Sequence, residues 1–174
     1  MTRAILIMGV SGCGKSTLGR SLAAALGVPF VEGDTLHPEA NVAKMRAGIP
    51  LDDADRGPFL ERVAAAIAAE PAGVVVSCSA LKRAYRDLVR ARAGRRVTFV
   101  WPKLERAALA ARLAARRDHY MPASLLDSQL ATLEPPAADE RAIVIDGAAP
   151  TPAQVAQLLI ALDTHDDPTE RGTP

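Results

Sequence analysis

The sequence predicts a doubly wound α/β sandwich, a single parallel sheet with helices on both faces. Three observations point there. Five short β-rich runs alternate along the chain with segments of helical character. The runs are apolar without polar alternation, as expected of strands covered on both faces. And a glycine-rich loop, Gly9-Val10-Ser11-Gly12-Cys13-Gly14-Lys15-Ser16, directly follows the first run and precedes a helical pattern.

The elements follow in order. Ala4–Met8 reads as the first strand and leads into the loop. Glycines there allow a tight turn that aims several N–H groups at an oxyanion, and Lys15 adds a mobile positive charge. Ser16 opens the next helix, where its hydroxyl suits Mg²⁺ and the helix end adds partial positive charge. From Thr17 to Leu26 the pattern sets Leu18, Leu22, Ala25 and Leu26 on one face before Gly27 ends the helix.

Pro29–Val31 is the second strand. The connection from Asp34 to Arg56 is long and polar; Pro38 suits the first turn of a helix ended by Gly48, and Asp52 or Asp53 suits the N-cap of a helix running from Ala54 toward Glu70. Val74–Ser77 and Val97–Trp101 are the third and fourth strands. A helix with Leu109 and Leu113 inward leads into Asp118–Pro136, one short amphipathic piece between prolines. Ala142–Ile145 is the fifth strand, and Thr151-Pro152 opens the last helix. The division is one domain over 1–162 with a short lid near 117–136; the Asp-, Thr- and Pro-rich tail over 163–174 is expected to be disordered.

With 174 residues and 49% hydrophobic content the chain suits one globular core. A net charge of +1 and only six aromatic residues argue against general nucleic-acid binding. Between Lys82 and Arg117, however, twelve basic residues face two acidic ones. Some of these basic side chains belong on solvated helix faces, and the rest can meet phosphates. Cys13 and Cys78 lack metal-site spacing, which favours reduced thiols. The chain passes from Met1 to a strand within a few residues, and no apolar run nears the ~20 residues of a membrane span. A cytoplasmic protein is expected, with no nucleic-acid or membrane partner.

In a doubly wound sheet, ligands sit beyond the carboxyl ends of the strands, where both long connections emerge. Asp34 stands just past the second strand, so its carboxylate can take a proton from a substrate hydroxyl or hold Mg²⁺; the plainer alternative is a turn cap. His37, Arg56, Lys82, Arg83 and Arg86 converge on the same edge and suggest an anionic acceptor. For His37 a packing role is the competing reading. Arg112 and Arg116 lie one turn apart near the lid and can supply positive charge to a transferring phosphoryl group, or merely complement a helix end. The third strand ends without the acidic pair of a motor ATPase, and no Asn-Lys-x-Asp string follows the fourth. A small-molecule kinase remains.

From Ile5 to Leu162 the chain resembles the gluconate kinase family of the shikimate kinase-like phosphate-loop kinases. The resemblance is carried by the Met8–Ser16 loop, Gly33-Asp34 with His37-Pro38 and Asn41, Lys44-Met45, Gly48–Asp53, Asp55-Arg56, Cys78–Lys82 with Tyr85-Arg86-Asp87, His119-Tyr120-Met121 and Gln129–Glu134. It implies a phosphate-loop NTPase-type sheet of strand order 2-3-1-4-5, a requirement for ATP and Mg²⁺, phosphorylation of the 6-hydroxyl of D-gluconate, and a homodimer. ATP would lie on Gly9, Val10, Ser11, Gly12, Cys13, Gly14, Lys15, Ser16 and Thr17. Lys15, Asp34, Arg112 and Arg116 would be catalytic. Asp34, His37, Arg56, Lys82, Arg86 and His119 would meet the acceptor, Ser16 and Asp34 would hold Mg²⁺, and the loop near Asp146–Pro150 would border adenine. Phe59, Tyr120 and Leu130 depart from the family pattern by apolar replacement. A same-fold kinase for another hydroxy acid and an ATP-binding switch stay open as alternatives.

Overall fold

The computed structural model of the chain describes residues 3–115 and 123–165. Its elements are β1 (Ala4–Ile7), α1 (Lys15–Leu26), β2 (Phe30–Glu32), a 3-10 turn (Gly33–Leu36), α2 (Glu39–Arg46), α3 (Asp53–Ala68), β3 (Val74–Ser77) and α4 (Arg83–Ala93). They continue with β4 (Val97–Lys103), α5 (Arg106–Ala114), α6 (Ala123–Thr132), a second 3-10 turn (Ala138–Glu140), β5 (Ile143–Asp146) and α7 (Thr151–His165). All strand pairings are parallel and the order is β2-β3-β1-β4-β5, as expected.

Strand alternation divides the core. Leu6 and Met8 face one way, into a cluster with Phe59, Val63, Tyr85 and Val89 of α3 and α4. Ile5 and Ile7 face the other way, against Leu18 and Leu22 of α1 and Leu158 and Leu162 of α7. This two-sided burial explains the unbroken apolar runs of β1 and β3, every residue of which is buried. The edge strands are less covered, and Val144 of β5 stands exposed.

Several sequence expectations shift. In α1 the buried face is Leu18, Gly19, Leu22 and Ala23, while Ala25 is exposed. Gly19 lies under the Phe30 ring, so the face turns toward β2. β4 runs on to Lys103 because its last residues, Val100 to Lys103, pair with β5. Asp52, rather than Asp53, caps α3: its side chain accepts from the Asp55 N–H at 2.8 Å and Asp55 reciprocates to the Asp52 N–H at 3.0 Å. Helix α7 extends to His165, beyond the expected end at Leu162, and residues 166–174 of the expected tail lie outside the described residues.

Candidate active site

The loop after β1 is shaped by its own backbone. Gly14, at φ +94°, caps α1 in the left-handed region that L side chains avoid, so the chain turns sharply into the helix. The N–H groups of the first turn of α1 have no partner within the helix and form an anion cradle. Lys15 bends back so that its Nζ donates to the Val10 carbonyl at 3.0 Å. The Ser11 N–H donates to Gln129 Oε1 of α6 at 2.7 Å. Val10 and Cys13 point inward, packed with Leu109, Leu113 and Leu126.

Beside this loop lies a cavity of about 430 Å³, lined by residues that include Gly12, Gly14, Thr17, Arg112, Pro150 and Gln154. Two side chains tie its far wall. Arg112 Nη2 donates to the Gly147 carbonyl at 2.9 Å, and the buried Gln154 amide donates to the carbonyls of Gly147 at 3.2 Å and Ala149 at 2.7 Å. The loop expected to border adenine is therefore braced from two directions.

At the end of β2, Gly33 touches β3 so closely that an added Cβ would stand 1.8 Å from the Ser77 carbonyl oxygen. The Gly33 N–H donates to Ser77 Oγ at 3.1 Å, and the Ser77 hydroxyl donates to Glu32. This stitch holds the next residue, Asp34, in the exposed 3-10 turn, where it makes no hydrogen bond or ion pair among the described residues. Nothing in the turn is capped by Asp34. Cys78, just past β3, is pushed up to about 12 chiefly by burial, and the charges of Lys15, Asp34 and Arg56 also act on it. Because β1, β2 and β3 pair in parallel, the phosphate loop, Asp34 and Cys78 all follow strand ends at one sheet edge.

His37 stacks on Phe59 with ring centroids 3.6 Å apart and receives the Asn41 side-chain amide at Nδ1, 3.3 Å away. Accepting there puts its proton on Nε2. Burial lowers its pKa below 6.5, against the opposing pull of Asp34.

A second cavity, about 520 Å³, is lined by Leu51, Asp52, Asp53, Ala54, Arg56, Lys82, Tyr85 and Thr132. Asp53 organises it. Lys82 Nζ donates to both its oxygens, at 2.8 and 3.1 Å, and the Tyr85 hydroxyl donates to it as well. The Lys82 bonds first, then the Tyr85 bond, hold the Asp53 carboxyl below its ordinary range. Arg56 lies over the Tyr85 ring at 5.6 Å, and its Nε–H is buried with no hydrogen-bond partner among the described residues. A buried guanidinium donor left unsatisfied costs free energy and marks a place for an oxygen of a ligand.

Arg86, expected among the acceptor ligands, is elsewhere. Its side chain is 0% exposed, with Nε and Nη2 donating to the two Glu140 oxygens at 2.6 and 2.8 Å and Nη1 donating to the carbonyls of Ala80 and Leu81. With those donors committed it supports the strand-end backbone and does not face a ligand. Arg83 is likewise engaged, by Asp139 at 2.6 Å. Arg116 and His119 lie outside the described residues. Asp53, Tyr85, Gln129 and Gln154 were given no ligand-site role by sequence, Asp53 being read only as a possible cap. Asp53, Tyr85 and Gln129 fall within strings that carry the family resemblance, which was the available signal.

A parallel sheet of this order, with a phosphate loop after its central strand and cavities beyond its carboxyl edge, defines a phosphate-loop kinase. A family model described as an AAA domain matches residues 5–136. The chain is 48% identical over 153 residues to a gluconokinase of Gluconobacter oxydans, covering 83% of each sequence, and 44% identical to the thermosensitive gluconokinase of Escherichia coli, covering 80% of this chain and 75% of that one. A gluconokinase crystal structure from Sinorhizobium meliloti superposes with a TM-score of 0.83 at 44% identity, over 94% of this chain and 97% of that one. The chain belongs to the gluconokinase family, ATP-using kinases of a sugar acid. No helix among the described residues is long and apolar enough to cross a membrane.

Proposed function

We propose that the chain transfers the γ-phosphoryl group of ATP to the 6-hydroxyl of D-gluconate, giving 6-phospho-D-gluconate and ADP. The observation that carries this reading is the cavity in which Arg56, with its buried Nε–H unpartnered among the described residues, and Lys82 stand at the same sheet edge as the phosphate loop and Asp34, in a chain 48% identical to a gluconokinase.

In this mechanism the loop amides and Lys15 hold the β- and γ-phosphates. Oxygen donors suit Mg²⁺, and the Ser16 hydroxyl and Asp34 carboxylate are the groups that would hold it; once bound, the ion neutralises phosphate charge. Asp34, which makes no competing hydrogen bond among the described residues, takes the proton of the acceptor hydroxyl as the phosphorus–oxygen bond to ADP breaks. Arg56 and Lys82 bind the gluconate carboxylate. Arg112, with Arg116, supplies charge to the transferring group. His37 contributes mainly packing, with its Nε2–H the one group left to meet the acceptor. A homodimer and a cytoplasmic setting belong to the same reading, the former checked by light scattering.

The test is ADP release from Mg-ATP with D-gluconate, shikimate, D-glycerate, D-glucose or AMP, and a blank without acceptor. The expected result is gluconate-dependent ADP with 6-phosphogluconate as product. A rise with another acceptor alone would reassign the cavity, and no rise above the blank would favour an ATP-binding switch.

A further inference from the structure

Helix α6 reaches both halves of the site. Gln129 accepts the Ser11 N–H of the phosphate loop at 2.7 Å, and Thr132, three residues on and on the same face, lines the cavity of Arg56 and Lys82. Leu126 and Leu130 of the same helix pack with Val10 and Cys13 of the loop. The helix therefore carries a wall of the acceptor cavity while resting on the donor loop.

Apolar packing alone is non-directional and tolerates sliding and rotation. A hydrogen bond to a backbone N–H does not: it sets the height and rotation of α6 against one peptide unit of the loop. Because the partner is a donor, the Gln129 carboxamide must present its oxygen, which fixes the amide against flipping. The Thr132 hydroxyl is turned to its own helix, donating to the Ser128 carbonyl at 2.8 Å. Among the described residues, Gln129 thus supplies the side-chain hydrogen bond that joins α6 to the loop.

We infer that Gln129 is a positioning residue for phosphoryl transfer, pinning α6 to Ser11 so that the acceptor cavity stays in register with the phosphate loop. The inference rests on the kinase reading above. In-line transfer is sensitive to such register, since a displacement of ~1 Å can cost ~10²-fold in rate.

The test uses the full chain and two substitutions, Gln129→Met, which keeps length and helix propensity, and Gln129→Ala. First, hydrogen exchange at the Ser11 amide is measured without ligands; faster exchange in both variants is expected, and unchanged exchange overturns the pin whatever the protein phosphorylates. Second, kcat, the KM values and ATP affinity are measured with gluconate. A fall in kcat of roughly ten-fold or more, with ATP affinity near wild type and more ADP released per phosphogluconate formed, is expected. Unchanged kcat and coupling in a folded variant overturn the inference, as does a loss confined to ATP affinity. If wild type itself ignores gluconate while Ser11 exchange responds, the kinase reading fails and the pin stands.

Discussion

Arg86 and Glu140 form an enclosed fork in which both oxygens of the carboxylate receive a guanidinium N–H, with side-chain exposures of 0% and 1%. The pair joins α4 to the turn before β5, and through Ala80 and Leu81 it also secures the backbone after β3. Its worth is structural. The Arg86 bonds come first among the causes that bring Glu140 down to about 2 from 4.5.

Because the folded carboxyl titrates below its ordinary value, the stabilisation is complete above pH 4.5 and is lost as pH falls toward 2. Breaking the pair leaves a buried charge. Arg86→Met is expected to cost about 3 kcal/mol by denaturant unfolding, while the folded variant keeps its gluconate KM. A large KM change at unaltered stability would return Arg86 to the acceptor site.

Asp34→Asn should lower kcat by ~10²-fold or more with ATP binding retained, as expected on removing a general base. Turnover of the variant and nucleotide binding by calorimetry check this. Near-normal turnover would leave Asp34 without a chemical role.

Arg56→Ala removes the guanidinium whose buried Nε–H has no partner among the described residues. The expected outcome is a rise in gluconate KM of roughly ten-fold or more with little change in ATP KM, the size of a lost charge-assisted hydrogen bond. Parallel increases in both would indicate a general disturbance of the site.

Gly33→Ala would place a Cβ 1.8 Å from the Ser77 carbonyl, a contact that only movement of β2 or β3 can relieve. Both thermal stability and kcat should fall, because the displaced segment carries Asp34. Loss of stability with intact kcat would show that the Asp34 turn moves independently of the strand.

What was legible in the sequence was local. The loop from Gly9 to Ser16 is contiguous, and β1 and β3 advertise two-sided burial in four consecutive apolar or small residues each. Sheet order came from the family resemblance rather than from pattern. The misplacement of Arg86 has a physical origin: as a cation past the third strand it looked like a ligand, yet Val89 and Ala93, three and seven residues on, put it on the buried stripe of α4. Its partner is 54 residues away, and Gln129 is 118 residues from Ser11; no spacing rule links such pairs. Asp53 was read only as a possible cap because its contacts, Lys82 and Tyr85, come from another helix and its approach.

The pairing of Ala4 with both Val74 and Val97 also sets a schedule for synthesis. The first strand made is the middle of the sheet, and both of its neighbours are encoded at least seventy residues later. A nascent chain therefore holds Ala-Ile-Leu-Ile without a strand to pair with until β3 and then β4 have left the ribosome. Since no two consecutive strands form a hairpin, the sheet closes through distant contacts, the slow route by loop-closure entropy. Helix α1, which follows directly and packs on the same strand, is the segment able to shelter it during that interval.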